Sequence, residues 1–62
     1  MKVYVNEEVV EIFEGAKVID ALRSFACKKG IQLPDDIPTV RDRYGNEIEL
    51  DGRLTEEMQL KF

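Results

Sequence analysis

Glu14-Gly15-Ala16-Lys17-Val18-Ile19-Asp20-Ala21-Leu22, running on through Phe25 and Ala26 to Gly30, is the stretch that decides the fold. Val18, Ile19, Leu22, Phe25 and Ala26 recur at i, i+1, i+4, i+7 and i+8, the stripe of an amphipathic helix. Asp20, Arg23, Ser24 and Lys28 lie off that stripe. Glu14-Gly15 breaks the preceding pattern, and Gly30 suits the left-handed residue that ends a helix, with Ile31 packing back on the last turn. Lys17, at the helix entry, has no side-chain oxygen with which to cap the first turn.

Outward from the helix the period changes to two. Val3 and Val5 alternate with Lys2, Tyr4 and Asn6, the pattern of a half-buried strand. Asn6-Glu7-Glu8 predicts a tight turn, and Val9-Val10-Glu11-Ile12-Phe13 a second strand. Its buried face is either Val10 with Ile12 or Val9 with Phe13. After the helix, residues 31–38 carry Pro34 and Pro38 and read as an extended connection, with Leu33 and Ile37 tucked under the sheet edge. Thr39 to Tyr44 reads as a strand with Val40, Asp42 and Tyr44 on one face, and Gly45-Asn46 as a two-residue type II′ hairpin turn. Ile48 and Leu50 continue the return strand, Asp51-Gly52 turns, Leu54 begins a connector, and Met58, Leu60 and Phe62 alternate in a last strand.

The order ββαβββ, with one helix to cover one sheet face, predicts an α+β domain over 1–62. Two hairpins flanking a helix are best closed if the first and last strands lie centrally and parallel. That arrangement is a β-grasp, the ubiquitin-like roll: a mixed four- to five-stranded sheet on one helix. A ferredoxin-like split βαβ would need a second helix, and nothing after Gly30 is long enough.

Sixty-two residues is near the lower limit for folding without a staple, and 44% hydrophobic residues allow a core. A lone cysteine forms no internal disulfide and fits a reducing, cytoplasmic setting. The absence of histidine excludes a histidine base, a serine–histidine relay and imidazole metal ligands. The net charge of −4 repels phosphate backbones unless one face concentrates the bases. Lys17, Arg23, Lys28 and Lys29 against Asp20 make the helix such a face, but four bases read as a solvated surface, not a nucleic-acid site. Apolar runs such as Val9-Val10 are too short to span a membrane, and no signal-peptide core follows Lys2. The expectation is a cytoplasmic monomer that binds neither nucleic acid nor membrane.

The opening hairpin and Glu14–Leu22 resemble the segment shared by three β-grasp groups: the small sulfur carriers of thiamin and molybdopterin synthesis, the two-iron two-sulfur ferredoxins, and TGS domains. Gly30-Ile31-Gln32-Leu33-Pro34 resembles the glycine–isoleucine–x–isoleucine–proline stretch after the helix of ferredoxin-type domains, and Ile48 to Phe62 is similar to the end of sulfur carriers. The departures are informative. Carriers end in Gly-Gly, whose carboxylate becomes a thiocarboxylate, whereas this sequence reads Gln59-Leu60-Lys61-Phe62. A ferredoxin cluster needs four thiolates, and Cys27 is alone. TGS domains belong to longer chains, and Met1 reads as a true start. The groups place threonine where Lys17 stands. No cofactor is therefore expected.

Cys27 is the one candidate nucleophile. At about 100° per residue it falls opposite Val18, on the polar side of the helix, with Arg23 and Lys28 near it. Those cations favour the thiolate and the helix dipole opposes it, with no histidine as base. Asp35, Asp36 and Asp42 lack the spacing of a hard-cation site and read as solvated acids. Glu47, Glu49 and Asp51 read as an exposed polar strand face. Arg41, Arg43 and Tyr44, with Glu47 and Glu49, form a candidate partner surface, since arginine and tyrosine are enriched at binding hot spots. The leading expectation is a non-catalytic module that works by protein–protein contact. The alternatives are a sulfur-carrier-like protein with a missing or diverged Gly-Gly tail, and a thiol redox protein using Cys27.

Overall fold

A computed structural model describes residues 1–33 and 39–62. It is an α+β arrangement of one helix and a mixed sheet. Strand β1 is Lys2–Val5, β2 Glu8–Glu11, helix α1 Val18–Lys29, β3 Val40–Arg41, β4 Glu47–Ile48 and β5 Gln59–Leu60.

The helix follows its stripe. Val18, Ala21, Leu22, Phe25 and Ala26 are buried, and Ile19, expected among them, is only half-buried. Ala21 takes its place because a three-residue step from Val18 keeps it on the core side. Gly30 adopts φ 69°, ψ 27°, and its N–H donates to Cys27 O while that of Ile31 donates to Ala26 O. These are the two bonds of a Schellman ending. Ile31 contributes only its backbone, since its side chain remains 52% exposed.

Lys17 indeed offers no side-chain cap. The first turn is satisfied from elsewhere. The Asp20 carboxylate accepts the Lys17 N–H at 3.0 Å, the Val18 N–H reaches Gly52 O at 2.9 Å, and the Ile19 N–H reaches Leu50 O at 2.9 Å. The donors that a missing cap would leave unpaired are thus docked onto the turn over Glu49–Gly52. An antiparallel bridge between Lys17 and Arg53 extends that junction.

β1 and β2 form an antiparallel hairpin with Val3 opposite Val10 and Tyr4 opposite Val9. Asn6 (φ 50°) and Glu7 (φ 72°) are both left-handed, as a two-residue type I′ turn requires. Val10 is buried and Ile12 half-buried, so theirs is the inner face, while Val9 is 39% and Phe13 63% exposed. β2 ends at Glu11, short of Phe13; one further rung joins Ile12 N–H to Met1 O at 2.8 Å.

β1 pairs with β5 in parallel, Val5 opposite Leu60, giving a three-stranded sheet ordered β2-β1-β5. β3 and β4 make a separate antiparallel pair with Arg41 opposite Glu47. An antiparallel bridge joins the two: Arg41 and Lys61 exchange N–H···O bonds of 2.8 Å in both directions. Laterally the strands therefore run β2, β1, β5, β3, β4. The core between sheet and helix is built on Leu22, Leu60, Val3, Val5, Val18 and Val40, all essentially inaccessible. Phe62 packs on its margin, edge-on to Phe25 with centroids 6.0 Å apart and planes at 84°.

Besides β2, three strands are shorter than the sequence predicts. The Thr39–Tyr44 strand is only Val40–Arg41, because Asp42 already closes the turn. The return strand stops at Ile48, because Leu50 belongs to the turn whose carbonyl caps the helix. The last strand is only Gln59–Leu60, prolonged by the Lys61 bridge to Arg41, although Met58 and Phe62 flank it half-buried as the alternation requires. Leu33 is half-buried and packs against the core. The expectations for Pro34, Asp35, Asp36, Ile37 and Pro38 lie outside the described residues. Among the described residues no helix is long and apolar enough to cross a membrane.

Candidate functional site

The candidate surface is the β3–β4 hairpin, and one carboxylate organises it. Asp42 N–H donates to Asn46 O at 3.0 Å and Gly45 N–H to Asp42 O at 3.1 Å, which closes a three-residue loop of Arg43, Tyr44 and Gly45. Gly45 occupies the left-handed position (φ 84°) that follows a type I turn in such loops. The two-residue Gly45-Asn46 turn is therefore corrected by one residue: glycine supplies positive φ, but as the bulge after the turn. Tyr44 accordingly leaves the strand face shared with Val40 and stands at the tip, 76% exposed.

Asp42 Oδ1 accepts the N–H of both Tyr44 and Asn46 at 2.9 Å, and the Asn46 amide reaches Oδ2 at 3.5 Å. The Asn46 N–H is the chief influence holding this carboxyl below the usual aspartate range, with the Tyr44 and Gly45 N–H groups adding to it. Asp42, read from sequence as a solvated loop acid, is thus the loop's organiser. An aspartate two residues before an exposed tyrosine and three before a glycine is the signal for this, as aspartate side chains bond to the backbone two residues on.

Arg41 Nη1 donates to Gly45 O at 2.9 Å, and Nη2 lies 3.9 Å from Glu47 Oε1. Arg41 therefore braces the loop from its base. Arg43 Cζ lies 5.3 Å from the Tyr44 ring centroid, a cation over an aromatic face. The hairpin brings Arg41, Arg43, Tyr44 and Glu47 together. Glu49 is exposed but lies past β4, in the turn that Gly52 N–H closes onto its carbonyl, so it is the outlier of the set. An open depression of about 410 Å³ flanks the loop, lined by Asp42, Arg43, Glu56, Glu57, Met58 and Gln59 among others.

Cys27 is exposed on the outer side of α1, as its helical position predicts. The helix bases next to it are turned toward β2. Lys28 Nζ donates to Val9 O at 2.9 Å, and Lys29 Nζ lies 2.9 Å from Glu8 Oε1. Lys29 is the main influence lowering the Glu8 carboxyl, first by hydrogen bond and then by charge. The basic helix and the acidic first hairpin thus engage each other. No protein-family model, curated protein or solved structure matches this chain.

Proposed function

We propose that the chain is a β-grasp domain that acts by binding another protein through the β3–β4 hairpin, without catalysis of its own. The lateral order β2, β1, β5, β3, β4 around a parallel β1–β5 pair supports the β-grasp reading. The observation that carries the binding role is the tip: an exposed tyrosine beneath an arginine, on a loop whose backbone is fixed by Asp42 and Arg41. A rigid aromatic–arginine pair loses little conformational freedom on binding, which is the property that makes these residues binding anchors.

The test is quantitative capture from an extract of the cells that make the protein, comparing the parent with Tyr44→Ala. Truncating a hot spot costs about 2 kcal/mol or more, so a specific partner should fall roughly thirtyfold or more on the variant. The thermal midpoint should hardly move, because Tyr44 supports nothing in the core. Captured proteins indifferent to Tyr44→Ala, or none above background, would reject the hairpin as the binding surface.

A further inference from the structure

The opposite margin of the sheet carries a second surface. β2 is an edge strand, with β1 on one side and, among the described residues, no strand on the other. In an antiparallel pair, hydrogen-bonded and non-hydrogen-bonded positions alternate. The Ile12–Met1 rung is bonded in both directions at 2.8 Å, and Tyr4 N–H is directed to Met58 O in β5. Val9 and Glu11, opposite Tyr4 and Lys2, therefore direct their own N–H and C=O groups away from β1. Lys28 Nζ occupies Val9 O. Among the described residues the Val9 N–H and both main-chain groups of Glu11 have no protein partner. On alternate positions the same edge displays Val9, Glu11 and Phe13, all exposed.

We infer that this edge accepts an extended segment of a partner protein as an added strand, one that alternates apolar and basic side chains. The main-chain groups supply the pairing, and alternate side chains supply selectivity. Val9 and Phe13 call for apolar neighbours and Glu11 between them for a cation. Glu11 belongs to no ion pair among the described residues, so its charge is available to an incoming cation. Lys2 lies opposite Glu11 on β1 and offsets part of its charge. A second copy of the chain fits poorly, because its own β2 edge offers an acid, Glu11, and not a cation between Val9 and Phe13. Lys28 guards the edge: its ammonium must leave Val9 O for the strand to pair, and it repels an incoming cation.

The probe is a capped heptapeptide, Thr-Val-Thr-Lys-Thr-Val-Thr, with its Glu-centred counterpart as control, followed by amide-shift titration and hydrogen exchange. The Lys peptide should shift the amides of Val9, Glu11 and Phe13 and slow exchange at Val9 and Glu11, leaving the 43–46 loop untouched. Glu11→Lys should weaken it about two- to fivefold and improve the Glu peptide, while Lys28→Met should tighten the Lys peptide. Equal binding of both peptides, shifts confined to other strands, or protection of β2 that grows with protein concentration alone would overturn the inference; the last would identify a second copy as the occupant.

Discussion

Glu7 and Glu57 hold φ of 72° and 61°, a region where a side chain is strained and glycine is not. Glu7 completes the type I′ turn between β1 and β2, and Glu57 the turn in which Met58 N–H reaches Thr55 O at 3.1 Å. Replacing either by glycine should relieve the strain and stabilise the fold by up to about 1 kcal/mol, a rise of several degrees in thermal midpoint for a chain of this size. An unchanged or lower midpoint for Glu7→Gly would mean the glutamate makes compensating contacts. Asp42 gives a prediction in pH. Its folded pKa is depressed, so its contribution to the loop is complete above the ordinary aspartate value of about 3.9 and is lost as pH falls through the lower folded value. In a carboxyl titration Asp42 should show a midpoint below that of an ordinary aspartate, with the Tyr44 and Asn46 amide shifts following the same curve. A midpoint at or above the ordinary value would contradict the bonding described for it.

The elements differ in how far residue order alone disclosed them. The helix was legible from Val18 to Gly30 because a stripe repeated over three turns leaves one solution, and Gly30 marks its end by backbone conformation. Val3 and Val5 likewise disclosed β1. The alternation predicts β3, β4 and β5 too long, because at Val40 or Met58 it records which side is buried but not where main-chain pairing stops. Those limits are set by turns. Asp42 ends β3 with its carboxylate, and the Leu50 and Gly52 carbonyls are taken by the helix. That docking could not be read locally, since its partners are more than thirty positions apart along the chain. It makes Gly52 critical. A Cβ there would lie 3.0 Å from Glu49 O, so the turn must open by a few tenths of an ångström, while Val18 Cγ2 at 3.8 Å would be in ordinary contact. Gly52→Ala should cost about 1–3 kcal/mol, the usual range for overpacking, and speed hydrogen exchange at Val18 and Ile19. Protected amides and an unchanged midpoint would show that the helix does not depend on this junction.

At the scale of the whole molecule, the two exposed margins of the sheet differ in character. β2 is a regular edge with alternating apolar and acidic side chains, guarded by one lysine. The other margin is a short hairpin whose loop is stiffened by Asp42 and Arg41 and crowned by Tyr44. Between them the Arg41–Lys61 bridge is the sole strand pairing, among the described residues, that ties the hairpin to β5. The hairpin's position as a presented surface depends on it. The most direct measurement is amide-shift mapping of the labelled protein in concentrated extract of its own cells, repeated with Tyr44→Ala. The predicted result is a perturbed patch over Arg41 to Glu47 that disappears in the variant. The absence of any perturbed patch, or one confined to the helix face around Cys27 or to β2 and indifferent to Tyr44, would contradict binding through the hairpin.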